Sequence, residues 1–272
     1  MNYIYSLILG IVQGLTEFLP VSSSGHLVLL HDILKFDLDQ NLAFDTALHL
    51  GTVLAIIIYF RADLKKYILA FFELLVERKR TKEKELKIVF SLVIATIPAV
   101  VLGLLFENMI ETVFRSVYVV VSTLIVVGLL FFVIEKYAKK IDSIEKITFG
   151  TALFIGFAQS LALIPGVSRS GITIVAGMFT NLKRSEAAKF SFLMGIPVIT
   201  GAGVYQLYKL DYSTLLLNDL IIFAIGFVSS FLVGLFVIKF LMKFLSSNKL
   251  NVFAYYRIGL ALMLILYFYL TK

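Results

Sequence analysis

Gln13-Gly14-Leu15-Thr16-Glu17-Phe18-Leu19-Pro20-Val21-Ser22-Ser23-Ser24-Gly25-His26 is the stretch on which the fold turns. An apolar run enters it, breaks at Pro20, passes three serines and a glycine, and resumes at His26. Glu17 lies inside the apolar part. A carboxylate at membrane depth is unfavourable unless paired, which makes it a functional-site candidate. The run after the break, His26 to Leu34, spans roughly 14 Å at 1.5 Å per residue. A hydrocarbon core is roughly 30 Å thick. Residues 3–34 therefore read as a re-entrant helix–loop–helix that enters the membrane and returns.

The pattern recurs 146 residues later as Gln159-Ser160-Leu161-Ala162-Leu163-Ile164-Pro165-Gly166-Val167-Ser168-Arg169-Ser170-Gly171. At that offset residues 10–25 match residues 156–171 at seven of 16 positions, and Phe44 matches Phe190. Chance likeness of two apolar segments explains leucines and valines. It does not explain Gln13 with Gln159, Ser22 with Ser168, Ser24 with Ser170 and Gly25 with Gly171 in one register.

The 272 residues are 60% hydrophobic and 16% charged, against roughly 25% charged in a soluble domain. With a mean hydropathy of +0.94, this is an all-α, polytopic membrane protein. Spans are expected at 42–60, 86–106 (with a kink at Pro98), 113–135, 186–207 (with Pro197 inside), 216–241 and 251–270. A second re-entrant hairpin is expected from 147–163, a break at 164–171 and a short return at 172–180. The apolar insert Tyr67 to Val76, within the basic stretch 61–87, is expected to lie along the membrane surface. The chain is one integral membrane domain, 1–272, made of repeat halves 1–140 and 141–272. Each half holds one re-entrant hairpin and three crossings, six in total. An odd number inverts the second half, so the hairpins dip in from opposite faces and their tips meet near the midplane.

The net charge of +7 sits in loops between apolar runs, which points to membrane orientation and away from nucleic acid. Loops 61–87, 136–146, 183–189 and 239–249 hold 19 of the 25 Lys and Arg and are assigned to the cytoplasm. Lys35, Arg115, Lys209, Arg257 and Lys272 fall on the other side, with both termini and the mouth of the first hairpin. Arg169 stands at the second tip. The absence of cysteine excludes disulfides and thiolate chemistry.

Each break starts a half-helix whose free N–H groups and dipole favour an anion. Ser22, Ser23, Ser24 and Gly25 precede one start, and Ser168, Ser170 and Gly171 precede the other. These residues suit a phosphate-like ligand, and a serine at such a position is also an ordinary N-cap. Arg169 takes the place of Ser23 in the repeat. Its planar fork suits bidentate phosphate binding, and an ion pair with Glu17 is the alternative. Gln13 and Glu17, four apart, share a helix face, and His26 can sit in the first turn beside Ser23. One hairpin thus offers hydroxyl, imidazole and carboxylate, and the other a cationic clamp. In type, these fill the roles of nucleophile, base and orienter. Asp45 and His49 form a second pair, read as hydrogen-bonding support for the hairpin.

With these motifs the chain resembles the undecaprenyl-diphosphate phosphatase family, also called the bacitracin-resistance family. The resemblance rests on Gln13 to Glu17, Pro20 to His26 and Pro165 to Gly171, with further support from Phe44 to Gly51 and Lys189 to Leu193. It implies removal of the terminal phosphate from undecaprenyl diphosphate, a polyprenyl diphosphate lipid, at a site open to the outer face of the cell membrane. The lipid phosphate then returns to cell-wall precursor synthesis. It implies Glu17, Ser23, His26 and Arg169 as active-site residues, with Ser22, Ser168 and Ser170 as supporting phosphate contacts; the loop reading adds Ser24, Gly25 and Gly171 around the phosphate and Gln13 in support. It also implies Mg²⁺ or Ca²⁺. Some members have Glu where this chain has Gln13, which favours a metal held mainly through the substrate diphosphate. Ser23 is expected to attack the terminal phosphorus with His26 and Glu17 managing the proton, His26 as direct nucleophile being the alternative, and an oligomer is compatible with the reading. The rival from another class is a lipid flippase or anion transporter, since broken helices in an inverted repeat also build transporters.

Overall fold

A computed structural model describes residues 2–34, 41–77, 81–106, 109, 116–210 and 217–270. These are almost wholly helical. Helices α1 (Asn2–Phe18), α2 (Ser23–Leu34), α3 (Asn41–Tyr59), α4 (Arg61–Phe72) and α5 (Glu83–Leu105) are followed by α6 (Val117–Tyr137). The chain continues with α7 (Phe149–Ser160), α8 (Arg169–Phe179), α9 (Arg184–Lys209), α10 (Leu217–Ser247) and α11 (Asn251–Leu270). Six of them (α3, α5, α6, α9, α10 and α11) are long and apolar enough to cross a membrane. The expected start of the third span, residue 113, lies outside the described residues. Pro98 and Pro197 both sit inside continuous helices. Helix α4 runs on as a π-helical turn, Glu73–Glu77.

Both breaks occur where expected, but both return helices start three residues earlier than the apolar pattern suggests. The cause is local. Ser22 and Ser168 have φ of 77° and 71°, which swings the chain into a new helix at once. Each hydroxyl then accepts the backbone N–H three residues on, from Gly25 at 3.4 Å and from Gly171 at 3.2 Å. One serine per loop is therefore an N-cap. Even so lengthened, α2 and α8 hold 12 and 11 residues, too few to span a bilayer.

The first arm of each hairpin rests on a long helix far away in the chain: α1 against α10, and α7 against α5. Small residues permit this. A Cβ on Gly10 would stand 2.6 Å from the Gly226 carbonyl oxygen, and one on Gly156, its partner in the repeat, 2.5 Å from that of Ala95. Close backbone approach of this kind drives helix association in lipid, where the hydrophobic effect contributes little. Helix α9 packs against α8, α3, α5 and α10, and α6 packs against α11. The buried carboxylate of Glu135 in α6 accepts from Arg184 Nε (2.6 Å), Lys140 Nζ (2.6 Å) and the Leu250 backbone N–H (3.0 Å). It ties the end of α6 to the starts of α9 and α11.

Two expectations need correction. Helix α10 continues to Ser247, so Lys239 and Lys243 lie on its last turns and not in a loop. Arg257 is no outer-face charge: it lies two turns into α11 and is wholly buried.

Candidate active site

The last two turns of α1 carry Gln13 and Glu17 on one face, both buried. Glu17 is the hub. Its Oε1 accepts from Arg169 Nη2 at 2.9 Å, across 152 residues of sequence. Its Oε2 accepts from Ser23 Oγ at 2.7 Å and from Gln13 Nε2 at 3.1 Å. The two hairpin tips thus meet, with the guanidinium of one against the carboxylate and hydroxyl of the other. This pair is secluded, with side-chain exposures of 12% for Arg169 and 5% for Glu17. Nη1 of Arg169 donates to the Ser191 carbonyl of α9 at 3.1 Å.

The remaining predicted residues divide. Ser22 and Ser168 hold the caps. Their hydroxyls lie 3.4 Å from Ser24 Oγ and 3.3 Å from Ser170 Oγ, so the two tips share one local geometry. Ser170, Gly25 and Gly171 are buried beside them, and Ser24 is exposed. His26 stands in the first turn of α2, as expected, but its ring is held by other groups than Ser23. Its Nδ1 donates to the Ser22 carbonyl at 2.7 Å, and its Nε2 accepts from Tyr256 Oη at 2.7 Å. Its ring stacks on Tyr256 with centroids 5.8 Å apart. The helical turn that begins at Ser23 points the imidazole at α11 and the hydroxyl at α1.

A family model described as bacitracin resistance protein BacA matches residues 6–263. An undecaprenyl-diphosphatase of Rubrobacter xylanophilus is 45% identical over 262 residues, 96% of each chain. Proteins of the same name from Thermodesulfovibrio yellowstonii and Aliivibrio salmonicida are 43% identical over 269 residues (97% of each chain) and 40% identical over 271 residues (100% of each). The chain belongs to the BacA family.

In this BacA-family chain the site also draws on the expected support of α3 and on two residues the motifs do not contain, Gly195 and Arg257. His49 of α3 brings Nδ1 to 2.8 Å from Gln13 Nε2 and 3.4 Å from Glu17 Oε2. Its helical partner Asp45 turns to His31 Nε2 at 2.9 Å. The support expected of this pair therefore reaches both arms of the first hairpin. Gly195 of α9 makes room for the clamp, since a Cβ there would stand 2.2 Å from Arg169 Nη1. Arg257 joins the two tips from behind. It donates to the carbonyls of Pro20 (3.2 Å) and Gly166 (2.8 Å), one from each loop, and to those of Leu124 (3.2 Å) and Thr123 (3.1 Å) in α6. The signal for Arg257 was legible: a lone charge inside an apolar span is a functional candidate by the rule that picked out Glu17.

The donor set does not suit a protein cage for Mg²⁺ or Ca²⁺. Among the described residues no three His, Asp or Glu side chains converge as ligands. Both oxygens of Glu17 are already taken up by an arginine, a hydroxyl and an amide, whereas Ca²⁺ wants six to eight oxygens.

Proposed function

We propose that the chain hydrolyses undecaprenyl diphosphate to undecaprenyl phosphate and inorganic phosphate, with Ser23 as nucleophile and Glu17 as its base. The observation that carries this reading is the 2.7 Å hydrogen bond from Ser23 Oγ to a Glu17 carboxylate that also faces Arg169. A serine hydroxyl needs an adjacent base to attack phosphorus, and Glu17 is the base within reach. The terminal phosphate enters between Arg169 and Glu17. As the Oγ–P bond forms, the Ser23 proton passes to Glu17 Oε2, and the P–O bond to the bridging oxygen breaks, releasing the lipid phosphate. Arg169 and the N–H groups of the α2 and α8 starts stabilise charge on the phosphoryl oxygens. Water then opens the phosphoserine, and Ser23 regains a proton.

The names of the relatives support the substrate, and the six apolar helices support a multi-pass membrane setting. Peptidoglycan precursor synthesis would consume the product. In this reading the halves 1–140 and 141–272 are inverted repeats in the cell membrane, with the Lys- and Arg-rich loops cytoplasmic and the site mouth outside. Mg²⁺ or Ca²⁺ would be held mainly by the diphosphate oxygens, whose charge it would neutralise. His26 as nucleophile is the second reading. The carbonyl of Ser22 can only accept, so the ring proton sits on Nδ1 and Nε2 keeps a lone pair.

Purified protein in detergent tests the proposal. Phosphate release is expected from wild type and lost by about 100-fold or more in Ser23→Ala, Glu17→Ala and Arg169→Ala at matched folding. A trapped phosphoenzyme that survives acid marks serine, and one that acid destroys marks histidine. A flippase would bind the lipid without releasing phosphate and would be indifferent to Ser23→Ala.

A further inference from the structure

His49 reaches the site from α3, a full-length helix, and from neither hairpin. Its Nδ1 lies 2.8 Å from Gln13 Nε2 and 3.4 Å from Glu17 Oε2. An amide nitrogen only donates, so Nδ1 holds the lone pair and the ring proton is on Nε2. The ring also lines a cavity of about 700 Å³ together with Ser24, His31 and Asp45. The amide oxygen of Gln13 is buried without a hydrogen-bond partner, which is unfavourable. Turning that amide over would set its oxygen beside Glu17 Oε2 and His49 Nδ1, a position favoured once either carries a proton. The three side chains are therefore built for two proton arrangements, and the one seen here suits an ionised Glu17.

We infer that His49 is a positioning residue that accepts from Glu17 the proton Glu17 takes from Ser23. This rests on the phosphatase reading above. In the first step the Ser23 O–H bond breaks and its proton goes to Glu17 Oε2. It then passes to the lone pair of His49 Nδ1, as Gln13 turns its oxygen inward to hold the displaced hydrogen. The imidazolium releases a proton from Nε2 to water in the cavity, and after Ser23 is restored Nε2 takes one back from water while Nδ1 loses its own by way of Glu17, so that the ring ends the cycle as it began. Glu17, ionised again, takes a proton from the water that attacks the phosphoserine, and the P–Oγ bond breaks with its electrons on Oγ. Oγ recovers that proton from Glu17. The charged groups facing His49 are Glu17 of α1, Arg169 of α8 and Asp45 of its own helix, the last held by His31 of α2.

The test measures kcat and KM for undecaprenyl diphosphate in detergent, from about pH 5 to about pH 9, for wild type, His49→Gln and His49→Asn. Both variants keep an amide to meet Gln13 but cannot exchange a proton, and the shorter one stands in where the longer misfolds. The expected result is a kcat lowered by about 100-fold, KM within about twofold, and loss of one limb of the pH profile. Wild-type kcat with an unchanged pH profile overturns the inference and leaves His49 a packing group. A raised KM at unchanged kcat also overturns it and makes His49 a phosphate ligand. A folded wild type that releases no phosphate rejects the phosphatase reading itself, and the inference with it.

Discussion

Arg169 and Arg257 are both guanidiniums buried in an apolar chain, and they are satisfied in opposite ways. Arg169 meets a carboxylate and one carbonyl; the acceptors of Arg257 are four carbonyls, with no acid among them. A cation matched only by dipoles serves to hold backbone, and here the backbone is the corner of each tip. Arg257→Leu is expected to lower thermal stability by about 3 kcal/mol or more, because carbonyls it now satisfies lose their donors. Activity should fall with it, and Arg257→Lys should recover only part of both, since an ammonium cannot copy the planar fork. Differential scanning fluorimetry and phosphate release on the same samples check this. Gly195→Ala isolates the other arginine. A methyl 2.2 Å from Nη1 must push the guanidinium aside. Misplacing a binding group by about 1 Å can lower turnover about 100-fold. The expected outcome is that loss with a nearly native melting temperature.

At the scale of elements, the site depends on two half-helices being carried to the same point. Each is delivered by an arm seated on a helix from the other half, α1 on α10 and α7 on α5. Gly10 and Gly156 permit these seats. Gly156→Ala places a methyl 2.5 Å from the Ala95 carbonyl oxygen, a backbone atom. Overpacking of this kind destabilises by about 1–3 kcal/mol. Gly10→Ala meets the same obstacle at Gly226 and should have a similar effect, whereas Gly201→Ala, which meets nothing within 4 Å, should be near neutral. Melting temperatures of the three variants in one detergent decide it. A large loss in only one of Gly10→Ala and Gly156→Ala would argue against equivalent seats.

For the whole molecule the outstanding prediction is orientation. The chain has no cysteine, so single-cysteine labelling has no background. Lys209→Cys and Ser246→Cys stand at opposite ends of the path through α10, both exposed. A membrane-impermeant maleimide applied to intact cells is expected to label Lys209→Cys at once, and Ser246→Cys only after permeabilisation, as the Lys and Arg distribution requires. The reverse pattern would turn the site mouth to the cytoplasm and remove it from lipid diphosphate on the outer leaflet.

Hydropathy and period are local properties. The order of residues alone therefore determined the six long apolar helices, the two breaks at Pro20 and near Pro165, and the family, and left open which serine of each loop is the cap. Its reach ended where side chains from distant helices converge. His26 was grouped with Ser23 because they are three apart on one helical turn, yet Glu17 takes the hydroxyl and Tyr256 the imidazole. Arg257 was counted with the loops because a charge tally ignores depth. His49 was read as support for the hairpin, but nothing near it in the chain says that its partners are Gln13 and Glu17. Only tertiary packing decided that Glu17 sits within hydrogen-bond reach of Arg169, Ser23 and Gln13 and beside His49. A contact across 152 residues depends on how α1, α3, α8 and α9 seat against one another, which no short window of sequence encodes.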